Sequence, residues 1–358
     1  MGLKYPLPRA TTTAPNAWPL EFLVRQRNCP EERFRTVSTT PSRYGITIPF
    51  DGISLADHRD WYSQLADFGY SDVWSAEVDG ADGFTPLTLA AAWEPRLKLG
   101  IAIAPAYTRG PALLAQTIAS LAEVAPGRFT FGLGASSPAI VERWNAIPYE
   151  KPFQKTRDTL RFLREALSGE KVDREFETFT VKGFRLARPV EVQPALFLAA
   201  LRPGMLRLAG AEADGVILNW LSASDVTTVL GECGTSIDVA ARLFVIPTDD
   251  EDTARLIARR MITAYLNVDA YAAFHQWLGR GPALEPMWDA WQAGDRKRAL
   301  EVIPNEVIDD LIIHGSYAKC RDHINRYVDA GVTIPALAVI PFGVDLAEAV
   351  RELSPSAQ

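Results

Sequence analysis

Short apolar runs alternate with longer amphipathic segments eight times along the chain, and this rhythm restricts the fold more than any other feature. The runs are apolar without strict polar alternation, which is typical of parallel strands covered on both faces. Eight strand–helix repeats favour a closed barrel over an open sheet. The sequence therefore predicts an α/β fold, a (β/α)8 TIM barrel. The predicted strands are YGITIP (44–49), SDVWSAE (71–77), LKLGIAIAP (97–105), RFTFGLG (128–134), ALFLAAL (195–201), DGVILNW (214–220), ARLFVIP (241–247) and TIPALAVIP (333–341).

Three segments depart from this rhythm. Residues 168–194 predict an extended excursion or a small hairpin, and residues 267–315 are too long for one connection, so extra helices are expected between strands seven and eight. Loops that follow barrel strands lie at the C-terminal mouth, where the active sites of such barrels are found. The second insertion is therefore expected to cover that mouth. Residues 1–43, rich in Pro, Thr and Arg, are interpreted as an N-terminal extension to a barrel domain of residues 44–358.

The composition of the chain restricts the classes of binding partner that we expect. A net charge of −7 gives no reason to expect nucleic acid or an anionic membrane as a partner, and no apolar stretch is long enough to span a bilayer. Cys29, Cys233 and Cys320 show neither metal-ligand nor disulfide spacing, which suits a reducing, cytoplasmic compartment. The four histidines form no metal-binding pattern, so no metal site is predicted.

Small residues gather at the ends of three predicted strands, in GIAIAP, GLGASSP and LAALRPG. All three ends belong to the same mouth of the barrel. Open strand ends suit a flat ligand, and the loop and helix N-terminus behind them offer N–H groups to a phosphate. The alternative is that the glycines only relieve crowding at strand–helix turns. Because three such sites converge, we favour a planar, phosphate-bearing cofactor.

Two stretches resemble a known family. GLGASSPAIVERWNAIPYEKPFQKTRDTLRFLREAL and PALFLAALRPGMLRLAGAEADGVILNWL are similar to the bacterial luciferase-like superfamily, and more narrowly to the branch that uses the deazaflavin coenzyme F420 in place of FMN. The resemblance covers about residues 44–342. It implies a cofactor-supporting bulge with a non-proline cis peptide on the third strand, at Ile101-Ala102. It also implies that the cofactor's phosphate tail is held at Gly134, Ser136, Ser137, Ala199, Ala200, Leu201, Arg202 and Gly204.

Residues near the reacting ring are less well defined by the resemblance. Glu77 ends the second strand and is the expected proton donor, with an ion pair to a nearby basic residue as the equal alternative. Related sugar-phosphate dehydrogenases carry an Asp-His pair here, which this chain lacks. The expected substrate pocket comprises residues that individually fit core packing as well: Trp74, Tyr107, Trp144, Asn219 and Trp220.

The resulting hypothesis is an F420-dependent oxidoreductase that moves a hydride between the deazaflavin C5 and an organic, apolar or ring-bearing substrate. The alternatives are an FMN-dependent monooxygenase of the same superfamily and a barrel that binds flavin or an apolar ligand without turnover. The resemblance also leaves a homodimer open.

Overall fold

The computed structural model describes residues 43–357. The predicted extension, apart from Arg43, and Cys29 lie outside these residues, so the domain boundary at residue 44 stays a prediction. Among the described residues, no helix combines the length and apolar character needed to cross a membrane.

Eight parallel strands close into a barrel, which confirms the predicted fold. They follow one another around the barrel in chain order, and the first strand pairs with the eighth through Gly45–Ala336 and Ile46–Leu337. The sixth and seventh strands also pair, so the sheet has no open gap between them. The strands are β1 (Gly45–Thr47), β2 (Asp72–Ser75), β3 (Lys98–Pro105), β4 (Phe129–Gly134), β5 (Ala195–Ala199), β6 (Gly215–Asn219), β7 (Asp238–Pro247) and β8 (Ile334–Val339).

Helices surround the barrel, and five of them have a proline at the first or second position, as suits a first turn whose N–H groups have no helical partner. The helices are α1 (His58–Asp67), α2 (Thr85–Trp93), α3 (Pro111–Val124), α4 (Pro152–Leu167), α5 (Pro203–Glu212), α6 (Val226–Cys233), α7 (Glu251–Leu266), α8 (Asp269–Trp277), α9 (Gly281–Gln292), α10 (Arg296–Glu301), α11 (Asn305–Leu311), α12 (Tyr317–Asp329) and α13 (Leu346–Glu352). A π-helix spans Ala139–Trp144, and 3-10 turns span Ala223–Asp225 and Pro355–Ala357.

Both predicted insertions are present. The first contains an antiparallel hairpin of Val172–Glu175 and Thr180–Phe184. The second contains α8 to α11 and a short strand, Ile313–Gly315, that pairs with the end of β7.

Within the described residues, the hydrophobic core consists of three clusters, and one of them lies at the mouth of the barrel. Inside the barrel, Trp74, Phe197 and Ile217 belong to a small apolar cluster. The large outer core lies between the strands and the surrounding helices. A third cluster joins the insertion to Trp220 and Phe244 at the ends of β6 and β7. The insertion therefore covers the β6–β7 side of the mouth.

Candidate active site

Strand β3 carries the expected bulge, but one residue later than predicted. Its register with β4 shifts between Ile101 and Ala104, and the non-proline cis peptide joins Ala102 to Ile103. Ile101 is fully buried in the outer core, whereas Ala102 and Ile103 pack against the cluster inside the barrel. The predicted position of the cis peptide, Ile101-Ala102, was therefore wrong. A sequence pattern indicates where the strand ends, but it does not fix the residue at which the pairing with β4 shifts.

The glycines of β4 have a packing role. A Cβ at Gly132 would lie 2.1 Å from the carbonyl oxygen of Ile101 and 2.3 Å from Cδ1 of Ile217. A Cβ at Gly134 would lie 2.8 Å from Cδ1 of Ile103. The close approach of β3 is therefore sufficient reason for glycine at both positions, and the expectation that a ligand also lies across this strand end stays a prediction.

The loop after β4 presents one unused hydroxyl. Ser136 has a left-handed backbone (φ 64°), and its Oγ is buried with no hydrogen-bond partner among residues 43–357. Ser137 differs, because its Oγ accepts a hydrogen bond from the N–H of Ile140 at 3.4 Å at the start of the π-helix. Thr108, after β3, has a second buried and unpartnered hydroxyl. Since buried polar atoms are rarely left unpaired, Ser136 and Thr108 are suited to a bound polar ligand.

The loop after β5 ends in an accessible helix N-terminus. Pro203 has no N–H, and the N–H groups of Met205 and Leu206 both donate to the carbonyl of Arg202 at 3.0 Å. Arg202 and Gly204 are exposed, and a Cβ at Gly204 would meet nothing closer than Phe153 at 3.9 Å. The N–H of Gly204, the positive end of the helix and the Arg202 guanidinium together favour an anion here.

Glu77 forms an ion pair, which is the alternative that the sequence left open. Its Oε2 accepts a hydrogen bond from Nη1 of Arg109 at 2.5 Å, and its Oε1 accepts one from the N–H of Gly83 at 3.2 Å. The Arg109 guanidinium lies 4.7 Å from the centre of the Phe84 ring. Burial acts to raise the pKa of Asp82, but hydrogen bonds from Thr85 and Phe84 and the charge of Arg109 lower it overall.

The ion pair lines an open cavity of about 350 Å³ at the β2–β4 side of the mouth. Its wall includes Asp82, Pro105, Thr108, Ile140 and Asn145 in addition to Glu77 and Arg109. The cavity is thus polar on the β2–β3 side and combines charged groups with the unpartnered Thr108 hydroxyl.

The expected pocket aromatics lie in different surroundings. Trp74 is 1% exposed and packs inside the barrel against Phe197, so its role in a substrate pocket stays a prediction. Tyr107 donates its hydroxyl to the carbonyl of Glu150 at 2.7 Å and packs on Tyr149. Trp144 is 56% exposed on the π-helix.

Asn219 and Trp220 end β6 beneath the insertion. Trp220 has a left-handed backbone (φ 57°) and packs between Phe244 and Tyr265 at 4.4 and 4.9 Å between ring centres. Asn219 donates through Nδ2 to the hydroxyl of Tyr271 on α8 at 3.1 Å. Its Oδ1 is buried with no partner among the described residues.

Three residues near the mouth were missed by sequence reasoning. Arg109 lines the 350 Å³ cavity, Arg242 lines a narrow space inside the barrel beside Ala102, and Tyr271 accepts the hydrogen bond from Asn219. Arg242 is the one charged residue within the apolar run ARLFVIP, and that contrast was a usable signal. Arg109 follows β3 in an ordinary polar loop, and Tyr271 lies in the insertion, so neither position gives a local signal.

The closed barrel, the bulged β3 and the polar mouth are the features to compare with known protein families. The profile of the luciferase-like monooxygenase family matches residues 34–333, and the chain belongs to this family.

Individual relatives narrow the comparison. A 5,10-methylenetetrahydromethanopterin reductase from Methanolobus tindarius is 27% identical over 324 residues, covering 86% of this chain and 97% of the relative. A putative coenzyme F420-dependent oxidoreductase from Mycobacterium tuberculosis is 24% identical over 329 residues, covering 83% and 93%. The solved structure of an F420-dependent secondary alcohol dehydrogenase with an F420–acetone adduct shares the fold, with a TM-score of 0.72 at 16% identity over 89% of this chain and 100% of that chain.

Proposed function

We propose that this protein is a coenzyme F420-dependent oxidoreductase that transfers a hydride between the deazaflavin C5 and an organic substrate. The observation that carries the proposal is the similarity over almost the full length of a methylenetetrahydromethanopterin reductase and of a putative F420-dependent oxidoreductase. The mouth of the barrel supports it independently, because its unused donors suit a planar, phosphate-bearing ligand.

The residues at the mouth fit such a cofactor. Ala102 and Ile103 offer a flat surface of small and aliphatic atoms for a ring. The buried hydroxyl of Ser136 and the N-terminus of α5, with Arg202 and Gly204, offer donors to a phosphate tail. The other predicted tail residues, Gly134, Ser137, Ala199, Ala200 and Leu201, lie on the same two strand ends and contribute mainly backbone.

The protein's own contribution is to bind, orient and exclude water, while the deazaflavin when bound supplies the hydride chemistry. Glu77 holds the Arg109 guanidinium against the cavity wall, since both carboxylate oxygens already accept hydrogen bonds. The insertion shields the β6–β7 side from solvent with the cluster around Trp220. We propose that the substrate enters through the 350 Å³ cavity, whose charged wall supports a substrate that is not uniformly apolar.

A second candidate is an FMN-dependent monooxygenase, which the description of the matched family favours. The two candidates share the barrel and the phosphate loops, so they differ in which ring binds. Reduced flavin reacts with oxygen, whereas reduced deazaflavin does so poorly, and the choice of cofactor therefore decides the reaction class.

Binding of the purified protein to F420 and to FMN, measured side by side by fluorescence, tests the proposal. Micromolar or tighter affinity for F420 with at least tenfold weaker affinity for FMN is the expected result. The reverse preference would support the monooxygenase. Binding of neither cofactor would contradict both candidates and leave a barrel that binds another ligand.

A further inference from the structure

The corner where β6, β7 and α8 meet holds polar side chains that the function above does not use. Asn219 and Arg242 are paired in register on neighbouring strands. Tyr271 reaches this corner from the insertion and accepts the hydrogen bond of Asn219. The three side chains therefore form one group, here called the β6–β7 corner.

Among residues 43–357, no carboxylate forms an ion pair with Arg242. Its Nε is buried with no hydrogen-bond partner, and no ion pair to it is found within the described part of the chain. Its guanidinium lies 4.9 Å from the centre of the Phe244 ring, which is an apolar neighbour. Removing a cation from water without a partner is costly, so the arginine is suited to an oxygen supplied from outside the chain.

Tyr271 has a proton to give. Its oxygen already accepts from Nδ2 of Asn219, so the phenolic O–H points to a different acceptor. Burial raises the pKa of Tyr271 to about 12, while the Asn219 hydrogen bond and the charge of Arg242 act in the opposite direction and Tyr265 adds to the rise. The hydroxyl is therefore protonated near neutral pH, and the neighbours that favour its ionised form are both in the corner.

Of the three corner residues, Arg242 is the one that faces the bulge across the barrel. Arg242 and Ala102 line the same narrow interior space, together with Thr47 and Ser75 from β1 and β2. This space measures about 10 Å³, which is room for roughly one water-sized atom. If the ring rests on β3 as proposed, then β7 lies on its open side, where a substrate oxygen would meet Arg242.

We propose that the β6–β7 corner is the polar half of the reacting site, with Tyr271 exchanging a proton with the substrate oxygen and Arg242 stabilising its negative charge, so that the substrates are ketones or aldehydes and the corresponding alcohols. This inference rests on the F420-dependent function. In reduction, the carbonyl carbon gains a hydride from the reduced deazaflavin, the C=O π bond breaks, and the oxygen takes the Tyr271 proton. In alcohol oxidation, Tyr271 would first lose its own proton to solvent; the resulting phenolate would take the hydroxyl proton, and the oxidised deazaflavin would accept the hydride from the alcohol carbon.

The test compares Tyr271→Phe with Tyr265→Phe, a matched loss of a hydroxyl from a ring that packs against Tyr271. Each protein is assayed with reduced F420 and two ketones, cyclohexanone and acetophenone, and its affinity for F420 is measured separately. Tyr271→Phe is expected to lower kcat about 100-fold or more, since a positioned acid contributes about 10²–10⁴-fold. Its affinity for F420 should stay within threefold, and Tyr265→Phe should remain near wild type.

Arg242→Met provides a second test, in which loss of activity can be distinguished from loss of stability. Because the arginine is partly buried and unpaired, its replacement should maintain or raise Tm while lowering kcat, a combination that a structural role would not produce. Wild-type protein that binds F420 but reduces neither ketone would overturn the carbonyl assignment. Equal activity of Tyr271→Phe and wild type would overturn the role of Tyr271. Failure of the wild type to bind F420 would instead overturn the proposed function.

Discussion

Replacing Gly132 with alanine should destabilise the barrel by about 2–3 kcal/mol, because the new methyl group would collide with the backbone of β3. The added Cβ would lie 2.1 Å from the carbonyl oxygen of Ile101 and 2.3 Å from Cδ1 of Ile217. Overpacking in a core costs about 1–3 kcal/mol, and a backbone oxygen cannot rotate away as a side chain does. Alanine also restricts the unfolded chain, which offsets about 0.4–1 kcal/mol of that cost.

Two other glycines serve as graded controls. At Gly134 the nearest atom is Cδ1 of Ile103 at 2.8 Å, the end of a side chain that can move, so Gly134→Ala should cost about 1 kcal/mol or less. At Gly204 the nearest atom is 3.9 Å away, and the residue lies in α5. Since alanine favours a helix over glycine by up to about 1 kcal/mol, Gly204→Ala should be neutral or stabilising.

Thermal unfolding of the three variants, monitored by circular dichroism, measures these differences in stability. At about 2 °C per kcal/mol for a domain of this size, Gly132→Ala should lower Tm by about 4–6 °C. Gly134→Ala should lower it by about 2 °C or less, and Gly204→Ala should leave it unchanged or higher. A Tm for Gly132→Ala within about 1 °C of wild type would refute the explanation that β4 is small to make room for the bulge of β3.

Three further perturbations test the site and its surroundings. Glu77→Gln loses the ion pair to Arg109 and should lower kcat about tenfold while F420 affinity stays within threefold; weaker affinity with unchanged kcat would remove Glu77 from the chemistry. Arg202→Gln should weaken F420 binding about tenfold or more and reduce its salt dependence, as expected for a charge-assisted contact worth about 1.5–3 kcal/mol; an unchanged titration would place the phosphate elsewhere. Burial lowers the pKa of His275 to about 4. Between about pH 6.5 and pH 4, this histidine is therefore protonated in the unfolded chain but neutral in the folded chain. The free energy of unfolding accordingly falls as the pH is lowered through that window. His275→Gln should therefore flatten the dependence of the urea midpoint on pH across this window, and an equally steep profile would assign that dependence to other groups.

The sequence alone determined the architecture, because burial of parallel strands on both faces leaves a periodic record in the order of residues. Eight apolar runs and the long gap before TIPALAVIP were enough to predict the closed barrel and its inserted helices. The resemblance to the luciferase-like family likewise depended on local motifs, and the family profile confirms it.

Only the tertiary structure decided which side chains meet. Glu77 pairs with Arg109, 32 positions away, and Asn219 meets Tyr271 across 52 positions, and neither contact leaves a periodic signal. The position of the bulge was likewise set by packing between strands, which moved it from Ile101-Ala102 to Ala102-Ile103. Strand order follows from local apolar patterning, whereas the chemistry of the mouth depends on contacts that exist only once the eight strands have closed into a barrel.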